Sequence, residues 1–153
     1  MGEVSSAAKS RRSIWPRTTT GRVVLVGIVY FLIGYGSALL DAFTPAAFDF
    51  PLRLSAWVLS GITFVAHIWQ ELFRFRTPTL KTALRVAAAV AIGGFLIATG
   101  ATTHAFLVQS PAPYWRFALA LVVWPLVTAV PGFVVALIVA AVLSRLRIKP
   151  AAG

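Results

Sequence analysis

The chain has 153 residues, of which 59% are hydrophobic and 12% charged, with a mean hydropathy of +0.85 and a formal net charge of +10. So few charges cannot cover a soluble domain of this size, so the composition predicts an integral membrane protein. The absence of cysteine excludes disulfides, thiol redox chemistry, Cys-ligated zinc and Cys nucleophiles. The basic residues gather where apolar runs end, which argues for membrane topology and against a nucleic-acid partner.

The predicted fold class is all-α, a four-transmembrane-helix bundle with short loops. Residues 1-21 read as a basic tail, 22-144 as the membrane domain and 145-153 as a second basic tail. Spans are expected at about 23-43, 54-73, 83-108 and 117-143, each near or above the ~20 residues that a bilayer core requires. Continuous apolar runs favour helices over a barrel, whose strands alternate. Thr44-Pro45, Phe50-Pro51, Thr77-Pro78 and Ser110-Pro111-Ala112-Pro113 are expected to break the helices between spans.

Ahead of the first span, Ser10-Arg11-Arg12-Ser13-Ile14-Trp15 has the form of a twin-arginine signal and Met1-Gly2 with Ser6 that of a myristoylation signal. The apolar run begins too late and continues too long for the first, and a chain with four spans gains little from an acyl anchor. The segment is read as a basic tail.

The first span places Gly27, Tyr30, Gly34, Ser37 and Asp41 within an arc of about 80°. This small and polar face is expected to meet the second span, with Gly27 and Gly34 as packing residues. The second span carries the main candidate site. Arg53, Ser60, Thr63, His67, Gln70, Glu71 and Arg74 recur at steps of 3, 4 or 7 and share one arc of roughly 100°. Polar groups in hydrocarbon turn toward protein, water or a substrate path. Tyr30, His67, Gln70, Glu71 and Arg74 therefore form the candidate polar or proton-relay cluster. A hydrogen bond between the Tyr30 hydroxyl and His67 is expected, as is pairing of Glu71 with Arg22, Arg74 or Arg76.

The third span is expected to pack closely through Ala87, Ala91, Gly94 and Ala98, while Thr99, Thr102 and Thr103 bond back to their own helix. His104 falls near its outer end, ~15 to 20 Å in depth from His67, too far for the two to share a haem or an ion. No metal site and no cofactor are predicted, and haem held by one protein ligand stays open. In the fourth span Pro125 and Pro131-Gly132 should kink or locally unwind the helix.

Twelve of the fourteen Lys and Arg residues fall on one side of these spans, leaving Arg53 and Arg116 on the other. The positive-inside rule then puts both termini in the cytoplasm, in a plasma or inner membrane. Asp41 and Arg53 would sit outside, near enough to pair, and Trp57, Tyr114 and Trp115 would form an outer aromatic belt opposite Trp15. No catalytic motif is present. The functional expectation is a small non-enzymatic accessory or assembly subunit, in the lipid bilayer as a homo-oligomer or part of a larger complex. The alternative is a small transporter or ligand-binding membrane protein built on the cluster between the first two helices.

Overall fold

A computed structural model describes residues 18-45 and 48-147, and all its regular structure is helical. The twin-arginine and myristoylation look-alikes, Trp15, and the basic residues before Thr18 and beyond Arg147 lie outside the described residues. Helix α1 spans Thr19–Phe43, α2 Asp49–Trp69, α3 Thr79–Leu107 and α4 Tyr114–Arg147, and a π-helical turn, Gln70–Arg74, continues α2. All four helices are long and apolar enough to cross a membrane. Their surfaces agree with that reading, since Trp57, Leu107 and Leu32 are exposed along with many Val and Ile side chains.

Each helix begins and ends for local reasons. Thr18 caps α1 by accepting a hydrogen bond from the Gly21 amide at 3.2 Å. Helix α2 starts five residues before the expected span, at Asp49, and absorbs Pro51 into its first turn. The expectation that Phe50-Pro51 breaks the chain was wrong, because a first-turn amide has no intrahelical acceptor and proline there forfeits nothing. Helix α3 ends in a left-handed residue, Gln109 at φ 50°, with amide hydrogen bonds from Ser110 to the Ala105 carbonyl and from Gln109 to Phe106. That is the Schellman geometry. Helix α4 continues through Pro125 and Pro131 without unwinding, and the Thr128 hydroxyl donates to the carbonyls of Trp124 and Pro125.

The helices run up and down, and α3 makes the most extensive contacts, against α4 and α1. Its small residues explain this placement. A Cβ on Gly93 would lie 2.7 Å from Tyr30 Cβ, and one on Gly94 would lie 2.7 Å from the Thr128 hydroxyl oxygen. The two adjacent glycines thus admit α1 on one side and α4 on the other. Ala87 and Ala98 are buried on the same helix, and Ala91 is half-buried. The small face of α1 therefore meets α3, where α2 was expected. Gly27 lies against Ile92 and the Ala89 carbonyl, and Gly34 against Ile97.

Two apolar clusters hold this arrangement. Val23, Val26 and Ala89 join α1 to α3, while Ile68, Leu72, Ala83, Val86, Ala136 and Ala140 join α2, α3 and α4. Both lie toward the helix ends that carry Arg22, Glu71 and Arg85. Helix α2 buries only His67 and Ile68 there, and its outer face is exposed along its length, from Trp57 and Val58 to Ile62, Val65 and Trp69.

Candidate functional site

The expected polar stripe is not a single surface. Arg53 and Arg74 at its ends are exposed, Ser60, Thr63 and Gln70 are half-buried, and His67 and Glu71 are buried. The Thr63 hydroxyl donates to the Leu59 carbonyl of its own helix at 2.9 Å, which satisfies it without a neighbour. Only the last two turns of α2 bring polar groups into the interior.

Glu71 is the centre of that interior. Its side chain is 1% exposed, and it is held from three directions. The Arg85 guanidinium of α3 approaches Glu71 Oε2 at 2.5 Å, the Thr77 hydroxyl donates to the same oxygen at 2.9 Å, and Arg22 of α1 faces Oε1 at 3.8 Å. Arg85 also donates to the Thr77 hydroxyl oxygen at 2.9 Å, closing a triangle. A carboxylate this far from water requires such partners, because desolvating an unpaired charge costs several kcal/mol.

Local backbone geometry builds the triangle. The π turn widens α2, so the Phe75 amide donates to the Gln70 carbonyl at 3.1 Å. Arg76 then takes a left-handed conformation, φ 50°, a cost of roughly 1 to 2 kcal/mol for a side-chain-bearing residue. The resulting reversal brings the Thr77 amide to the Glu71 carbonyl at 2.9 Å and its hydroxyl to the carboxylate. The guanidinium carbon of Arg22 lies over the Phe75 ring, 3.4 Å from its centroid, a cation–π contact. The α2–α3 connection is therefore folded around Glu71.

Several expectations about partners need correction. Arg74 and Arg76 are exposed, and of the three expected cations Arg22 alone is placed beside Glu71. Arg85 and Thr77 were missed. Depth carried the signal for Arg85: it stands six residues, or ~9 Å, into α3, and Glu71 three residues, or ~4.5 Å, before the end of the π turn, a difference that a long arginine side chain spans. The Tyr30–His67 hydrogen bond is not formed. The Tyr30 hydroxyl and both His67 ring nitrogens are buried with no hydrogen-bond partner among the described residues. Tyr30 packs instead against Gly93 of α3, because the small face of α1 turns that way.

At the opposite helix ends Asp41 and Arg53 do pair, at 3.4 Å and largely in the open, an interaction contributing at most about 1 kcal/mol. His104 is exposed near the end of α3, and the described residues hold no group of three His, Asp or Glu side chains placed to share a metal ion. Beside the Glu71 triangle, a crevice of about 200 Å³ opens between the α2–α3 connection and α4. Leu72, Phe73 and Leu143 form its apolar wall, and Arg76, Thr79 and Ser144 contribute polar groups. Neither His67 nor Glu71 lines it.

Comparison with known proteins finds no match to the chain among models of protein families, the sequences of curated proteins or solved structures.

Proposed function

We propose that this chain is a multi-pass protein of the plasma or inner membrane, with both termini in the cytoplasm, acting as a non-enzymatic accessory or assembly subunit. The observation that supports this best is the direct pairing of Glu71. A proton relay or substrate path needs a carboxylate in contact with water or cargo. Glu71 is instead occupied by Arg85 and Thr77 with Arg22 alongside, and ties α1, α2 and α3 together. Orientation rests on the basic residues: Arg22, Arg74, Arg76, Lys81, Arg85 and Arg145 share one end of the bundle, as the positive-inside rule requires of the cytoplasmic side.

The chain has no cysteine, which makes topology direct to test. With a membrane-impermeant maleimide on intact cells, Ala112→Cys should be labelled, whereas Thr79→Cys should react only after permeabilisation. The reverse pattern would refute the orientation. Function is tested by mild extraction of a tagged chain. An accessory role predicts a stoichiometric partner or a homo-oligomer that survives purification. Recovery of a lone monomer that drives Glu71-dependent proton uptake in liposomes would favour the transporter.

One observation speaks for that second reading. Tyr30 and His67 hold buried polar atoms without partners among the described residues, and such atoms are places where a ligand's polar groups can bind.

A further inference from the structure

We propose that the crevice between the α2–α3 connection and the end of α4 binds the phosphate headgroup of an anionic phospholipid. The proposal rests on the membrane reading above and adds a ligand to it. Its volume of about 200 Å³ is several times the ~30 Å³ share of a water molecule, so a phosphate with part of its glycerol fits.

The lining is divided as a phospholipid is divided. Leu72, Phe73 and Leu143 supply apolar wall for the first acyl carbons, Arg76 and Thr79 supply a cation and a hydroxyl, and Ser144, whose own hydroxyl donates to the Ala141 carbonyl, closes the α4 side as a small side chain. The crevice also stands where helix ends meet the headgroup layer, between Arg74 at the end of the π turn and Thr79 at the start of α3. Basic pockets between helices at this depth on the cytoplasmic side suit anionic headgroups.

Charge points the same way. Glu71 is one carboxylate shared by two guanidinium groups, those of Arg85 and Arg22, so the buried cluster carries an excess positive charge. Thr77 belongs to both structures, bonding Glu71 and Arg85 on one side and lining the crevice on the other. Arg76 adds a second positive charge beside it, with no acidic partner among the described residues. Asp41 and Asp49, the other acids among the described residues, lie at the far ends of the helices. An anion in the crevice completes the charge balance that Glu71 begins.

The test uses the full chain in membranes of mixed phosphatidylglycerol and phosphatidylcholine. After a carbonate wash, wild type, Arg76→Gln, Ser144→Leu and the far-end control Arg116→Gln are extracted, and their retained lipids are measured by native mass spectrometry. Wild type and Arg116→Gln should retain phosphatidylglycerol preferentially. Arg76→Gln should lose about fivefold in that preference, the equivalent of ~1 kcal/mol for one basic residue near a headgroup. Ser144→Leu fills the crevice with charge unchanged and should lose it as well. Equal retention by all four chains while they remain membrane-bound would overturn the lipid site alone. Release by carbonate would overturn the membrane reading and the site with it. Displacement of the lipid by low-millimolar inorganic phosphate would identify free phosphate as the occupant and also refute the proposal.

Discussion

Glu71 and His67 stand one helical turn apart on α2 and are both buried, yet their surroundings differ. Removing the charge of Glu71 leaves Arg85 and Arg22 without the carboxylate they share. Breaking a buried pair costs about 3 to 5 kcal/mol, and since Arg85 keeps about a quarter of its side-chain exposure, the lower end applies. Glu71→Gln should therefore destabilise the protein by about 3 kcal/mol, read as a fall in melting temperature in detergent. The double variant Glu71→Gln with Arg85→Gln should lose less than the sum of the single losses; simple additivity would mean that the two side chains do not interact. His67 behaves in the opposite way. With no partner for either nitrogen among the described residues, His67→Phe should be neutral or stabilising, because an apolar side chain removes an unsatisfied polar group. A loss above about 1 kcal/mol would show that His67 has a ligand or partner in the working protein. The chemistry of residue 71 was legible from the sequence, since an acid inside a span demands a partner. Which cation answered was not, because Arg85 is fourteen residues away and meets Glu71 only once the α2–α3 connection has turned.

Among the elements, the glycines of α1 and α3 distinguish packing from mere tolerance. A methyl on Gly27 would stand 2.6 Å from Ile92 Cγ2 and 3.0 Å from the Ala89 carbonyl oxygen, and a carbonyl on a helix cannot swing aside. Gly27→Ala should separate α1 from α3 and cost about 1 to 3 kcal/mol. Gly61→Ala on α2 meets nothing within 4 Å and should leave the melting temperature unchanged or slightly raised. Similar losses at both positions would argue against this α1–α3 contact. The sequence marked Gly27 and Gly34 as a smooth face but misassigned its partner. A small-residue face shows that another helix comes close, and says nothing of which one. The π turn at the end of α2 was equally hidden. It depends on the widened hydrogen bonds of Gln70 and Glu71 and on a left-handed Arg76, a conformation that no composition rule assigns to arginine.

At the scale of the whole molecule, α3 is flanked by α1 and α4, and α2 is attached chiefly through its last turns. This arrangement follows from where close approach is possible: Gly93 and Gly94 open both sides of α3, while the early part of α2 offers bulky Leu, Val and Trp side chains. The exposed outer face of α2, on which Ile62 lies, is then the surface on which a second subunit would be expected to leave a trace. Cross-linking through Ile62→Cys in native membranes should capture a partner or a second copy more readily than the same reaction through Leu84→Cys on α3. Equal yields at the two positions would remove that preference. The four apolar helices, their short connections and the up-and-down order could all be read along the chain, because hydrophobic runs and proline breaks act locally. The pairing of helix faces, the triangle of Glu71, Arg85 and Thr77, and the crevice beside it came only with the tertiary structure. Those depend on contacts between residues distant in sequence, and in a bundle whose faces are mostly apolar, the fit of small against large side chains and the pairing of one buried carboxylate choose among them.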